Sequence, residues 1–479
     1  MLRARWLSAA EPVFSKLMLK PDNKYFFVLG REREIAREEL RAVLRRLNFG
    51  FGDLNVTDNI AFANLDRDEA EVAKLSGILG GTTKIFRATQ SKMDNEQYEQ
   101  RTTDREYCSK LIAGLTAELI RRKKRGVTGK INFGISDYSK TLSKEKINTL
   151  GLEVKRALRG DLSLRFVPIR EGRELSTIQS LKGDLAGRGV EVGLFDQGIG
   201  ILIGLSNPEE WARRDYQKPA GDKYSGMTPP KLARMMINLA LSQRPKAGSR
   251  KVEGRRPKVG GRIGTAFSLQ PSACVVVDPF CGSGNILMEA LMLGCDMIGS
   301  DISEKAVADS KANVDWLLEQ IRNSKSEILN KSEIQNSNVK IFQADATELD
   351  FPPLFENYDH FVVVTEPYLG QPKKMKPSFN AVRGEYTKIK KLYLDFLKNL
   401  ALSHFHTFTL CLVFPLVESV DRGRFSLYAE SVDEIRKLGY TELRSPLVYG
   451  RDYQVVKREI VFLNFQEPNT KSQINSNSQ

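Results

Sequence analysis

The sequence of 479 residues is poor in the residues that bind transition metals or form disulfide bonds. It has five cysteines, none of them in a Cys-x-x-Cys pair, and three histidines, so we expect no zinc site and no other metal site. Without a disulfide framework the cysteines favour a reducing compartment, and we expect a cytoplasmic protein. The sequence has no run of about eighteen apolar residues, so we expect no membrane-spanning helix.

Acidic residues are outnumbered by basic ones. Lys and Arg total 73 and Asp and Glu total 59, which gives a formal net charge of +14. A basic protein gains sequence-independent attraction to polyanions through counterion release, so we expect a polyanionic partner. The cations concentrate in a Gly/Pro-rich basic loop at residues 243–264 and in the run RRKKRG at residues 121–126. The residues predicted to contact nucleic-acid phosphates are Arg122, Lys123, Lys124, Arg250, Lys251, Arg255 and Arg256.

One segment, residues 275–301, combines a strand, a glycine turn, a helix and a second strand. The three valines at its start form an apolar run that suits a buried parallel strand. Gly282 and Gly284 allow a tight turn in which backbone N–H groups approach a ligand at the start of the helix. Asp301 follows the second strand, where a carboxylate can accept both hydroxyls of a ribose. The segment therefore predicts a site for a nucleoside-containing cofactor.

Two residues of this segment indicate which cofactor it is. A dinucleotide fingerprint requires glycine or alanine where the chain has Leu287. The carboxylate of Asp278 would repel a pyrophosphate and attract a cationic ligand head such as a sulfonium or ammonium. Both features fit S-adenosylmethionine, and DPFCGSGNILMEAL resembles the first motif of the class I, Rossmann-like methyltransferases that modify amino groups of RNA and DNA. The predicted cofactor-binding residues are Thr228, Asp278, Phe280, Gly282, Gly284, Asn285, Asp301, Ile302, Asp345 and Ala346.

The binding site of the methyl acceptor is predicted at the carboxyl end of another strand. FVVVTEPYLG, residues 361–370, must face the same crevice as the glycine turn, because ligands bind beyond the carboxyl ends of parallel strands. The family to which this region is similar carries [D/N/S]-P-P-[Y/F/W] here. The lone pair of an exocyclic amine is delocalised, so acceptors must draw its hydrogens aside while an aromatic ring stacks on the base. We expect Thr365, Glu366, Pro367 and Tyr368 to hold the amine and the base.

This TEPY motif departs from the family pattern and can be aligned in two registers. With Glu366 in the acid position, Tyr368 replaces the second proline and the stacking ring is lost. With Thr365 first, Glu366 replaces the first proline, while Pro367 and Tyr368 match. We prefer the second register, because it keeps the aromatic residue and leaves the Glu366 carbonyl available. In this register the Glu366 carboxylate could also accept from the guanine edge.

Three further segments resemble tRNA-modifying enzymes that contain a THUMP domain. KINFGISDYSK, residues 130–140, is similar to the strand that opens a THUMP core. GILIGLSNPEEWARRDYQKP resembles the junction between THUMP and methyltransferase domains, with an R-D-x-x-x-P element at Arg214, Asp215 and Pro219. GMTPPKLARMMINLA resembles the helix that precedes the cofactor strand in these enzymes, and we expect Gly226, Met227 and Thr228 at its start to contribute to the site.

The resemblance implies an α/β protein with several domains. The methyltransferase sheet should be mostly parallel and seven-stranded, with a terminal antiparallel hairpin. The predicted organisation is a leader (1–22), a ferredoxin-like α+β domain (23–95), a THUMP-like RNA-binding domain (96–206), a Rossmann-like methyltransferase domain (207–465) that contains the basic loop, and a disordered tail (466–479).

The function implied by the resemblance is methylation of guanosine N2 at position 10 of tRNA. We expect a monomer that binds tRNA, and the sequence leaves open whether a partner subunit exists. The altered TEPY motif favours an alternative, a catalytically weak tRNA-binding protein that kept the methyltransferase fold. A DNA amino-methyltransferase is a second alternative, against which the THUMP-like region argues.

Overall fold

The computed structural model describes residues 23–89, 104–159, 162–221, 227–243, 274–324, 331–355, 360–403 and 407–466. The predicted leader lies outside the described residues, as do nearly all of the basic loop and of the tail. The predicted phosphate contacts Arg250, Lys251, Arg255 and Arg256 lie outside them as well. The chain forms two compact units, and the second consists of the part from Trp211 onward together with Arg45–Leu47.

The first unit alternates strands and helices. Its elements are β1 (Lys24–Leu29), α1 (Arg33–Arg46), β2 (Asn55–Thr57), β3 (Ile60–Asn64), α2 (Glu69–Ile78), β4 (Thr82–Ala88), α3 (Asp104–Lys124), β5 (Ile131–Asp137), α4 (Lys144–Ala157), β6 (Leu164–Phe166), α5 (Thr177–Lys182), β7 (Val190–Phe195) and β8 (Gly198–Leu205). The helix α6 (Pro208–Tyr216) follows.

All eight strands of the first unit belong to one sheet, in the order β2-β3-β1-β4-β8-β7-β5-β6. The predicted ferredoxin-like and THUMP-like domains contribute adjacent strands, since β4 pairs antiparallel with β8. Every residue of β7 is buried, as expected for a strand covered on both faces. The division into ferredoxin-like and THUMP-like domains stays a prediction.

The second unit contains the predicted cofactor and acceptor motifs. Its elements are α7 (Pro230–Ser242), β9 (Cys274–Asp278), α8 (Asn285–Met292), β10 (Asp296–Asp301), α9 (Glu304–Asn323), α10 (Lys331–Gln335), β11 (Val339–Gln343), α11 (Pro352–Phe355), β12 (His360–Thr365), α12 (Phe379–Ala401), β13 (Thr407–Glu418), β14 (Arg424–Ser426), α13 (Val432–Lys437), β15 (Tyr440–Tyr449) and β16 (Val456–Gln466).

The main sheet of the second unit has the order β11-β10-β9-β12-β13-β16-β15. The first five of these strands pair in parallel, and β16 pairs antiparallel with both of its neighbours. The central strand β9 is apolar throughout Val275, Val276 and Val277, which are at most 1% exposed, because helices cover both faces of a parallel sheet. The mixed α/β sheet expected from the sequence is therefore present.

Neither a membrane-spanning helix nor a metal site is expected from the sequence. None of the helices in the described part of the chain is long and apolar enough to cross a membrane. Within the same residues, no group of three or more His, Cys, Asp or Glu side chains is arranged to hold a metal ion.

Candidate active site

The site lies where the strand order of the second unit reverses. From β9 the chain adds β10 and β11 on one side, and then places β12 on the other side of β9. The carboxyl ends of β9, β10, β11 and β12 share one edge of the sheet, because these strands are parallel. Ligands of open α/β sheets bind in the crevice at such a reversal. All the predicted cofactor residues from Asp278 to Ala346 follow one of these strand ends or belong to the turn after β9.

The turn after β9 depends on its two glycines. Gly282 and Gly284 have φ angles of 50° and 80°, in the left-handed region that favours glycine. A Cβ atom on Gly282 would meet nothing within 4 Å, so its backbone faces open space. A Cβ atom on Gly284 would collide with the hydroxyl of Ser310 in α9. Gly282 thus leaves room for a ligand, while Gly284 lets the turn pack against the protein.

Asp278 ends β9 as a buried carboxyl group, 1% exposed. Its Oδ1 accepts a hydrogen bond from Thr365 Oγ1 at 2.6 Å and one from the Phe280 backbone N–H at 3.3 Å. Burial raises the pKa of Asp278 to about 7, although these two hydrogen bonds lower it. The nearby carboxylates of Asp301 and Glu366 raise it further. A cation bound beside Asp278 would favour the ionised form of this group.

Asp301 ends β10 and is held by the turn itself. Its Oδ2 accepts from the Gly282 N–H at 3.0 Å, and its Oδ1 accepts from the Ser303 N–H at 2.9 Å. The side chain of Ile302, next in the chain, is 67% exposed. A half-buried carboxylate beside an exposed apolar side chain suits a ribose and the flat face of a base.

The third strand end carries Asp345 and Ala346. Oδ1 of Asp345 accepts from the N–H and from the hydroxyl of Thr347, at 2.8 and 2.7 Å. Ala346 is buried in the hydrophobic core, and its carbonyl accepts from Asn399 Nδ2 at 3.1 Å. Oδ2 of Asp345 takes part in neither bond to Thr347.

The residues before α7 are fastened to the glycine turn. Asn285 Nδ2 donates to the Thr228 carbonyl at 2.7 Å, and the Ser283 hydroxyl donates to Met227 Sδ at 3.1 Å. Lys218 is buried and donates from Nζ to Asn285 Oδ1 and to the Ser283 hydroxyl. Burial lowers the pKa of Lys218 to about 8. Predicted residues Thr228 and Asn285 are thus brought together, and sequence patterns did not reveal Lys218.

A buried ion-pair network includes a residue of α8, the helix that follows the glycine turn. Glu289 in α8 is fully buried and accepts from Arg214 Nε and from Arg234 Nη2, each at 2.6 Å. The Arg214 guanidinium lies 4.3 Å from the centre of the Trp211 ring. The arginine of the predicted R-D-x-x-x-P element is therefore a structural partner of α8, the helix that follows Gly284. Glu289 and Arg234 were not predicted as part of the site.

The TEPY residues follow β12 and have different surroundings. Thr365 is fully buried, and its hydroxyl donates to Asp278. Pro367 is buried, whereas Tyr368 is 45% exposed. Both carboxylate oxygens of Glu366 accept from Arg458 in β16, at 2.7 Å from Nε and 2.8 Å from Nη2. The Glu366 carboxylate therefore already has a protein partner, which the sequence did not indicate.

The predicted phosphate contacts at the end of α3 differ in their burial. Arg122 is buried, lies 3.1 Å from Glu118 Oε1 through its Nε, and donates from Nη1 to the Gly187 carbonyl at 2.7 Å. Lys123 and Lys124 are exposed. This placement disfavours Arg122 as a phosphate contact and leaves the two lysines able to reach one.

Comparisons with known proteins give partial matches. No protein-family model matches the chain. The tRNA (guanine(10)-N2)-dimethyltransferase of Methanothermobacter thermautotrophicus is 33% identical over 91 residues, which are 19% of this chain and 19% of that protein. The enzyme of the same name from Methanocaldococcus jannaschii is 32% identical over 116 residues, 23% of this chain and 25% of that protein. The matches thus span a quarter or less of these curated relatives.

Solved structures can also be aligned with large parts of the chain. TrmN from Thermus thermophilus is 14% identical, with a TM-score of 0.43, over 92% of this chain and 99% of that one. The rRNA methyltransferase aviRa from Streptomyces viridochromogenes is 15% identical, with a TM-score of 0.31, over 54% of this chain and 94% of that one.

Proposed function

We propose that the protein is an S-adenosylmethionine-dependent RNA methyltransferase that methylates N2 of guanosine 10 in tRNA. One observation carries the proposal. The buried carboxyl of Asp278 stands between an open glycine turn and the TEPY loop, at the reversal point of a mostly parallel sheet. A methyl donor with a positive charge and an acceptor base would meet at this point.

The donor side of the crevice has the groups that this cofactor requires. Open space at Gly282 leaves backbone accessible, and Asp301 can accept from ribose hydroxyls. The exposed side chain of Ile302 offers an apolar surface to adenine, and Asp278 offers a carboxylate to a cationic head. When bound, S-adenosylmethionine supplies an electrophilic methyl group. The residues described above then orient it toward the TEPY loop.

The acceptor side supports an amino group held for in-line attack. Tyr368 is exposed enough for a base to stack on its ring. Tyr386 Oη donates to the Leu369 carbonyl at 2.8 Å and so fixes the backbone that follows Tyr368. Backbone carbonyls of the TEPY loop can accept the amine hydrogens and turn the nitrogen toward the methyl group. Reaching this loop requires the guanosine to leave the RNA stack.

Two observations support tRNA as the substrate. The curated relatives that match the chain are named tRNA (guanine(10)-N2)-dimethyltransferases. The first unit also carries a cavity of about 300 Å³ that is lined by three exposed cations and by no acidic side chain. A groove of this charge can follow a phosphate backbone without reading the sequence. These cations are Arg165, Arg170 and Lys182.

Methylation of defined transcripts tests the proposal. We would incubate the protein with methyl-labelled S-adenosylmethionine and tRNA transcripts that carry guanosine or adenosine at position 10. Nucleosides from the digested RNA would then be identified by mass spectrometry. We expect N2-methylguanosine or N2,N2-dimethylguanosine in the guanosine transcript alone. Label on another nucleoside, or on DNA only, would refute the substrate assignment.

One observation favours a second candidate, a tRNA-binding protein with weak catalysis. The Thr365 hydroxyl and both Glu366 carboxylate oxygens already have protein partners, so the TEPY loop offers no free carboxylate. Calorimetry separates the two candidates. Binding of tRNA without binding of S-adenosylmethionine would favour the second one.

A further inference from the structure

Glu366 and Arg458 form a closely matched ion pair in the second unit. Nε and Nη2 of the guanidinium each contact a different carboxylate oxygen, at 2.7 and 2.8 Å. The side chains are 7% exposed for Glu366 and 12% exposed for Arg458. Bidentate pairing in a site with little water fixes both distance and orientation, which a single contact does not. The pair therefore fixes the start of the TEPY loop relative to β16.

Arg458 also reaches the segment that precedes α7. Its Nη2 lies 3.4 Å from the Met227 carbonyl, to which it donates. Met227 and Thr228 are in turn held on the glycine turn through Ser283 and Asn285. One guanidinium thus connects the acceptor loop to the segment that lies on the donor turn.

The other end of the acceptor loop is also fixed. Gly370 has a φ angle of 91°, and a Cβ atom there would lie 2.6 Å from Tyr386 Oη. The Tyr386 hydroxyl donates to the neighbouring Leu369 carbonyl. With one anchor at Glu366 and another at Leu369, only the short stretch with Pro367 and Tyr368 remains between them.

We propose that Glu366 and Arg458 are positioning residues that set the distance between the acceptor loop and the cofactor turn, and that Glu366 does not contact the acceptor base. The proposal rests on the proposed methyltransferase function for its kinetic consequences. Its physical basis is the cost of burying charge. Removing one partner of a buried ion pair leaves an uncompensated charge, whereas replacing both partners is far less damaging. A carboxylate that bound the base would behave differently, because its loss would cost the same whatever residue stood at 458.

A double-mutant cycle tests the proposal with the full chain. The variants are Glu366→Gln, Arg458→Gln and the double variant, with kcat and KM for a tRNA transcript and the Kd of S-adenosylmethionine as readouts. We expect each single variant to lower kcat about tenfold or more, with the cofactor Kd changed less than about twofold, and the double variant to be no slower than the slower single variant. Additive losses would show that Glu366 contacts the base and would overturn the proposal.

Two further variants control for charge alone and for the loss of an unrelated ion pair. Arg458→Lys keeps the positive charge and loses the bidentate geometry, so its kcat should lie between those of the wild type and Arg458→Gln. Full activity of Arg458→Lys would contradict a positioning role. Asp395→Asn removes the exposed ion pair between Lys391 and Asp395 in α12, and should leave kcat unchanged.

Hydrogen exchange separates failure of this proposal from failure of the proposed function. If the wild type methylates no nucleoside of any tRNA, the proposed function fails and the exchange rates alone decide the role of the ion pair. We expect faster amide exchange in Arg458→Gln at residues 366 and 368–370 and at residues 227 and 228, and recovery in the double variant. Equal exchange in all four proteins would overturn the positioning role.

Discussion

Thr365 donates a hydrogen bond to Asp278 across 2.6 Å and so joins the carboxyl ends of β12 and β9. The bond matters because Asp278 is buried, and burial raises its pKa to about 7. The Thr365 hydroxyl opposes this rise. Burial of Asp278 and its hydrogen bond from Thr365 therefore act in opposite directions on the pKa of this group.

The first prediction concerns the stability of the ligand-free protein. Asp278 has a pKa of about 7 in the folded chain and of about 4 when unfolded, so the folded state binds more protons between these values. The stability that this group contributes is fully present below pH of about 4 and is lost as the pH rises to about 7. Thermal unfolding should therefore show that Asp278→Asn gains stability over the wild type at pH 8 and not at pH 4. Parallel pH profiles for the two proteins would contradict the assignment.

The second prediction concerns cofactor affinity. A bound cation favours ionised Asp278, so the affinity for S-adenosylmethionine should rise several-fold as the pH rises through about 7. Thr365→Val removes the hydrogen bond and should shift this rise to higher pH, whereas Thr365→Ser should leave it in place. Calorimetric titrations between pH 6 and 8 measure the effect. S-adenosylhomocysteine, which lacks the sulfonium charge, identifies the cation. If the affinity for S-adenosylhomocysteine is independent of pH, the sulfonium is the cation that Asp278 faces. A pH dependence of the affinity for S-adenosylmethionine that survives Asp278→Asn would refute the prediction.

The third prediction separates the two glycines. Gly284→Ala combines a strained φ with a collision against Ser310, and should lower the free energy of unfolding by about 1–3 kcal/mol. Gly282→Ala meets open space, so it should cost less stability and mainly weaken cofactor binding, because its methyl group enters the space left for the ligand. Denaturant unfolding and calorimetry measure the two effects. Ser310→Ala should recover part of the loss in Gly284→Ala and none in Gly282→Ala.

The fourth prediction concerns the basic surface of the first unit. Replacing Lys123 and Lys124 together with Gln should weaken tRNA binding, and each lost phosphate contact should reduce the salt dependence of log K by about 0.7–0.9. Replacing Arg165, Arg170 and Lys182 with Gln should likewise weaken tRNA binding and reduce its salt dependence. Arg122→Gln is the matched control. It should lower thermal stability, because Arg122 pairs with buried Glu118. Unchanged binding in all the surface variants would place the RNA elsewhere.

The parts of the site that are local in sequence could be predicted. Asp278, both glycines and Asp301 fall within one short segment, where the residue types themselves require a strand, a turn and a helix. The contacts between distant segments could not. Arg458 is 92 positions from Glu366, and Lys218 is 67 positions from Asn285. Hydrophobic periodicity locates an element and does not say which charged side chain another element will bring to it.

The sheet of the first unit shows the same limit. Short segments rich in β-branched and apolar residues identify β4 and β8 as strands, since such a pattern depends only on neighbours in the chain. Their pairing joins strands that are more than 100 positions apart. The sequence therefore predicts the elements of this unit and leaves open which edges meet.

The place of β16 in the sheet has a consequence for biosynthesis. This strand lies between β13 and β15 and supplies Arg458 opposite Pro415 and Tyr449, although it follows both of these strands in the chain. While the polypeptide is being made, β13 has no partner on that side, and the Glu366 carboxylate has no guanidinium, until translation has passed residue 458. The acceptor loop therefore acquires its anchor only after residue 458 has been added, when the cofactor turn and the first unit have already been made.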